Sequence, residues 1–251
     1  MFDHSKMKLG KKAAVHDKRT MRLADYVSNA LKPPERIDWS VKITQLGLML
    51  NDSLGCCTIA SAGHLIQAWT ANNDNQVILA DSDILKGYEE ACGYVPGDPS
   101  TDNGGVEITV LNYLRQTGLG GHKIFAYVAQ EPGNKTHVEL SVDLLGGCYL
   151  GVELPVSAQG QTVWSVPPGG PVDDGAPGSW GGHAVPAVAY GPAGITVITW
   201  GKLLTMTWQF FSVYCSEAYG LLSLDWANGT KQAPSGFDFA QLQSDLAAIT
   251  G

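Results

Sequence analysis

The sequence predicts an α+β fold in which a helical lobe precedes a β lobe. Three observations carry that expectation. Ile59, Ala62, Ile66 and Trp69 recur at helical spacing after the turn-rich Asn51-Asp52-Ser53-Leu54-Gly55. Val106, Val110, Leu111 and Leu114 make an apolar stripe closed by Gly118. From about residue 123 the pattern changes to short β-rich runs separated by Gly/Pro loops.

In chain order, residues 1–32 form a polar, basic extension ending at Lys32-Pro33-Pro34, a stiff stop to any helix. Helices are expected from Cys57 to about Trp69, over 82–92 with Asp81-Ser82-Asp83 as cap candidates, and over 106–117. Strands are expected at 148–154, 184–190 and 195–200. Pro167 to Gly182 reads as a long loop of the kind that carries function. Residues 223–251 read as an appended segment with one short helix near 238–248. The boundaries are therefore 1–32, a main domain over 33–222 whose lobes meet near 122, and 223–251.

Composition narrows the function. The 251 residues are 44% hydrophobic and carry a net charge of −8. Residues 1–42 hold ten Lys/Arg against five Asp/Glu, which leaves six against nineteen in the rest. So acidic a body argues against nucleic acid as the main partner. The basic start reads first as a solvated arm, with an acidic surface of the chain itself or an anionic partner as the other options. No apolar run has the length of a membrane helix and the N-terminus lacks a signal-peptide pattern, so a cytoplasmic protein, or one packaged or exported by another route, is expected. Five cysteines, at 56, 57, 92, 148 and 215, include no CxxC pair and argue against a disulfide framework.

Cys57 opens a helix, where unpaired backbone N–H groups and the helix dipole favour a thiolate. It becomes a nucleophile if a histidine is close, and Gly181-Gly182-His183-Ala184 supplies one between glycines and a strand. Cys56 must point about 100° away from Cys57, so only one of them can face a cleft. His64 stands two turns along, about 10 Å from Cys57, too far to be its base. His122, His137, Asp98 and Asp102 show no metal-ligand spacing, so neither a metal nor a cofactor is expected. Asn134-Lys135-Thr136 reads as a chance glycosylation sequon.

Over about 34–222 the chain resembles the papain family of cysteine peptidases, and also papain-like proteins of bacteria and phages. Pro34-Glu35-Arg36-Ile37-Asp38-Trp39 resembles the family's mature start, and Asn51 through Cys57 its Gln-Gly-x-Cys-Gly-Ser-Cys. Asp102-Asn103-Gly104-Gly105 is similar to its Cys-Asn-Gly-Gly wall, and Gly182-His183-Ala184-Val185 to its histidine strand. Thr199-Trp200-Gly201 is similar to the end of its Asn-Ser-Trp-Gly. The resemblance implies a papain-like bilobed fold, with a helical left lobe, an antiparallel β-barrel right lobe and a cleft between them. It implies a thiol hydrolase cleaving peptide or amide bonds, with Cys57 as nucleophile, His183 as acid and base, and Asn51 as oxyanion donor. Asn103, Gly104, Gly105, Trp180, Gly182 and Trp200 would line the site of a polypeptide substrate, which would add as a strand along Gly104-Gly105.

The departures matter. Asn51 is one methylene shorter than glutamine, Leu54 and Asp102 replace cysteines that the family pairs, and Thr58 replaces a tryptophan. Ile198 falls at the family's histidine-orienting asparagine and cannot accept a hydrogen bond. Thr199 offers a hydroxyl, and alternation on a strand would send it to the face opposite Ile198. Two rival readings follow: a catalytically impaired binding or structural module, for example in a phage or surface assembly, and a cysteine acyltransferase. A 32-residue extension is too short for the family's large inhibitory propeptide.

Overall fold

The computed structural model describes residues 4–28, 30–230 and 236–250. The helical lobe is built on α1 (Cys57–Asn72), with α2 (Asp81–Cys92) and α3 (Glu107–Gln116) packed against it. Every residue of α1 from Cys57 to Ala71 is buried, because both lobes close on it. The three helices lie within two residues of the sequence expectation, except that α1 runs three residues longer. The cap of α2 is Ala80, whose N–H donates to Asp83 Oδ2 at 3.3 Å.

The β lobe is an eight-stranded sheet ordered β2 (Ile124–Ala129), β8 (Cys215–Ser223), β3 (Cys148–Leu154), β5 (Gly181–Gly191), β6 (Gly194–Thr199), β7 (Lys202–Thr207), β4 (Val163–Trp164). The two-residue β1 (Ile37–Asp38) pairs with β5. The sheet is open rather than a closed barrel, and β4 joins β7 in parallel. Closure fails because β4 is two residues long and leads into the Gly/Pro loop, which cannot continue a ladder.

Three helices lie where the sequence suggested sheet or an appendage. Asn134, read as a chance sequon, caps α4 (Lys135–Leu145) by accepting from the His137 N–H at 3.2 Å. Its apolar face, Val138, Val142 and Leu145, was the missed signal. Thr207 caps α5 (Trp208–Tyr214) in the same way. In α6 (Leu224–Thr230), Trp226 is buried against Trp39 and donates its indole N–H to the Leu144 carbonyl at 2.8 Å. The start of the 223–251 segment is thus core rather than appendage. Farther on, Phe237 and Leu242, the latter in α7 (Phe239–Thr250), pack on Leu23 and Tyr26 of the N-terminal extension.

The extension is not a solvated arm. Its Met21 and Arg22 meet the end of β2, where the Ala129 N–H donates to the Met21 carbonyl at 2.8 Å, and Val27 pairs with Phe237. Residues 4–12 enter the cleft between the lobes.

Candidate active site

Cys57 is the first residue of α1, at the wall between the lobes, and its side chain is buried. Its sulfur accepts the Ala184 N–H of β5 at 3.4 Å. Cys56 points elsewhere, with its thiol on the Met49 carbonyl at 3.4 Å. Only Cys57 reaches the cavity that Asn51, His64, His183, Ile198, Thr199 and Trp200 also line.

His183 sits on β5 opposite Val152 of β3 and is 1% exposed. Its Nε2 and the Thr199 hydroxyl are 2.8 Å apart, and its Nδ1 makes no hydrogen bond. Ile198 is buried with Ala68 and Val188, beside Ile43 and Leu46. The residue that meets the histidine ring is therefore Thr199, and Ile198 does not hold the orienting position that the motif alignment gave it. β6 ends at Thr199, and the hairpin to β7 turns through Trp200-Gly201, both at positive φ (45° and 71°). That conformation is costly for tryptophan, and contacts on several sides fix the ring. It stacks on His183 at 4.5 Å and 19°, and Trp180 lies 5.7 Å away.

The arm fills the cleft. Gly105 donates its N–H to the Gly10 carbonyl at 2.8 Å, Lys12 donates to the Gly105 carbonyl at 2.9 Å, and Lys11 donates to the Gly182 carbonyl at 3.0 Å. The arm runs parallel to the glycine wall. The Lys8 carbonyl accepts from Asn51 Nδ2 at 3.3 Å and from Trp200 Nε1 at 3.2 Å. A peptide carbonyl therefore occupies the place where the sequence reading puts an oxyanion. Asn51 also holds its own loop, donating to the Leu54 carbonyl at 3.0 Å.

The glycine wall docks the arm through backbone alone, and its side chains point otherwise than expected. Asn103 turns its amide to the Ser100 carbonyl. A Cβ on Gly105 would meet Thr58 Oγ1 at 2.6 Å and Cys92 Sγ at 2.7 Å, inside the helical lobe. Gly104, at φ 73°, is the one that faces the arm. Asp102 accepts from the Gly55 N–H at 2.9 Å and from the Tyr88 hydroxyl at 2.6 Å, and that hydroxyl accepts from the Gly104 N–H at 2.8 Å. This network ties the nucleophile loop to the glycine wall without a covalent link. Tyr88 carried no sequence signal beyond its place in a helix.

Burial sets the protonation of the site. It pushes the Cys57 thiol up to about 12, against the smaller downward pull of N–H groups from Ala184 and Gly10. Burial, helped by His4, pushes His183 down to about 3. The arm-filled cleft thus holds a neutral thiol and a neutral imidazole, instead of the ion pair that a helix N-terminus alone would favour. All five cysteines are free. Among the described residues no group of His, Cys, Asp or Glu is arranged to hold a metal, and no helix is long and apolar enough to cross a membrane.

Two buried histidines give the stability a pH dependence. His64, bonded to Gln67 at 2.9 Å, is lowered to about 4, also by burial. Both His64 and His183 are neutral in the fold and titrate near 6.5 when unfolded, so their stabilisation is complete above that value and is lost as pH falls towards the folded values. Each loses on the order of 2 kcal/mol between pH 8 and pH 5. Glu107, raised by burial, acts with the opposite sign. Urea unfolding of His64→Leu should lose about 2 kcal/mol less over that range than the parent chain. An equal loss in both chains would contradict the assignment.

No protein-family profile matches the chain, and no curated protein is significantly similar to it. Its fold is similar to that of solved cysteine proteases. Xylellain, a cysteine protease from Xylella fastidiosa, superposes with a TM-score of 0.68 at 13% identity, over 87% of this chain and 97% of that one. Procathepsin L 3 of the Tenebrio molitor larval midgut gives 0.59 at 12% identity, over 87% and 77%. The Carica candamarcensis cysteine protease CMS1MS2, solved in complex with E-64, gives 0.53 at 17% identity, over 75% and 98%. With the lobe order, the open sheet and the helix that begins at Cys57 in the cleft, these likenesses show that this chain has the papain-like fold.

Proposed function

We propose that the chain is a thiol hydrolase of peptide or amide bonds, held inactive by its own residues 4–12. The observation that carries the reading is the placement of Cys57, His183 and Thr199 around one buried cavity, with the carbonyl of an extended peptide held at Asn51. Withdrawal of the arm admits water and removes the burial that keeps the thiol and imidazole neutral. The Cys57 proton then passes to His183 Nδ1, whose ring Thr199 orients through Nε2. The thiolate attacks a substrate carbonyl, and charge develops on its oxygen beside Asn51 Nδ2. His183 returns the proton to the departing amine, leaving an acyl-enzyme. Water, deprotonated by His183, then releases the acid and regenerates the thiol.

The substrate is a polypeptide lying along Gly104-Gly105 and Gly182, the backbone edges that the arm now occupies. An acyltransferase differs only in the acceptor that takes the acyl group.

The test uses Gly10→Ala, because a Cβ at that position would overlap the Gly55 carbonyl and unseat the arm. The Gly10→Ala chain should hydrolyse a generic peptide ester, and Cys57→Ala in the same background should remove that activity. An arm-free chain that is folded and still inert would leave the binding-module reading standing.

A further inference from the structure

The cleft contains a charged pocket that the proposed reaction does not use. Lys11 is buried to its tip, with Nζ 2.9 Å from Glu153 Oε1, 3.1 Å from Glu217 Oε1 and 3.2 Å from the Lys12 carbonyl. Glu153 comes from β3, Glu217 from β8, and the wholly buried Glu107 from the first turn of α3. The Ser216 hydroxyl holds Glu153 at 3.0 Å and the Tyr219 hydroxyl holds Glu217 at 2.9 Å. Neither oxygen of Glu107 has a hydrogen-bond partner. The floor is Gly151, where a Cβ would overlap the lysine stem and lie 2.7 Å from Glu107 Oε1.

Glu153 and Glu217 both meet the one ammonium, which exceeds the charge needed to pair a single lysine, while burial holds the Glu107 carboxyl towards its neutral form beside them. Removing the cation would leave them facing one another in a poorly solvated site. An apolar side chain could fill the volume but would compensate none of that charge. The pocket opens beside Gly182, which accepts the Lys11 N–H, and Gly105, whose backbone bonds Gly10 and Lys12 on either side of it.

We infer that Glu107, Glu153 and Glu217 form a recognition pocket for a lysine or arginine side chain of a peptide bound in the cleft, and that Lys11 is its occupant from within the chain. This deepens the hydrolase reading by naming the side chain that selects the substrate. The same contact makes Lys11 the anchor of the arm.

Binding is measured separately from turnover, on full-length Gly10→Ala/Cys57→Ser, whose cleft is open but cannot react. The probe is a fluorescently labelled peptide of residues 5–14, read by anisotropy. Peptides with Lys11→Met should bind at least ~30-fold more weakly, about 2 kcal/mol at 1.4 kcal/mol per decade. Lys11→Arg should stay within a few-fold, and Lys12→Met, which removes the same net charge, should change little. In the host, Gly151→Ala or the half-exposed Glu153→Gln should reduce the preference for Lys11 over methionine, and circular dichroism should confirm folding. Equal weakening by Lys11→Met and Lys12→Met would mean general attraction to an acidic body and would overturn the pocket. Selective binding without hydrolysis by the Gly10→Ala chain would sink the hydrolase reading and leave the pocket intact. Hydrolysis with no preference for a basic side chain would do the reverse.

Discussion

Unseating the arm should raise the reactivity of Cys57 by at least ~100-fold. A thiol near 12 is ionised to about one part in 10⁵ at pH 7, whereas a thiol at its free value of about 8.5 is ionised to a few per cent. Because burial raises Cys57, the gain follows directly from letting water in. Iodoacetamide labelling followed by peptide mapping should find Cys57 silent in the parent chain and rapidly labelled in Gly10→Ala. Cys56, whose thiol is bonded to the Met49 carbonyl, and Cys148 are fully buried and should stay slow in both. If Cys57 labels equally fast in both chains, the arm does not guard the cleft.

Thr199→Val should lower the turnover of the arm-free chain by about 10- to 100-fold, by removing the partner of His183 Nε2 without changing the size of residue 199. Loss of the residue orienting a catalytic histidine costs about 10⁴ in a serine triad. The smaller figure here reflects a hydroxyl in place of a carboxylate. Thr199 acts through His183, so kcat should fall while KM holds, and Thr199→Ser should recover most of the rate. Ile198→Asn, the change that the sequence alone recommends, should yield no gain. Its amide would be buried among Ala68, Val188 and Leu46 at a cost of about 1–3 kcal/mol. A rate increase in Ile198→Asn, or none lost in Thr199→Val, would contradict this geometry.

How much of the site could be read in advance follows from the range of the forces involved. That α1 begins at Cys57 is visible in the turn-rich residues before it and the apolar helical spacing after it, because turn chemistry and helical periodicity are local. The strand at 148–154 and the glycines before His183 are legible for the same reason, and the order of motifs from Trp39 to Trp200 suffices to suggest the lobes. Helix α4 was legible too, from Asn134 and the spacing of Val138, Val142 and Leu145, but its cap sequence also spells a sequon.

Packing decided the rest. Alternation says that Ile198 and Thr199 face opposite sides of β6, yet not which side is the cleft. That choice is fixed by the β5–β6 and β6–β7 registers and by the Trp200-Gly201 turn. Gly105 carries no mark of whether its missing side chain faces a substrate or the sulfur of Cys92. The three glutamates around Lys11 lie far apart in sequence, and only the docking of α3 against β3 and β8 gathers them. The basic character of the arm was plain from composition, but composition gives charge without position. Where the arm lies was decided by backbone groups of Gly105 and Gly182 left open for a strand, and by Glu153 and Glu217, which pair with the Lys11 ammonium.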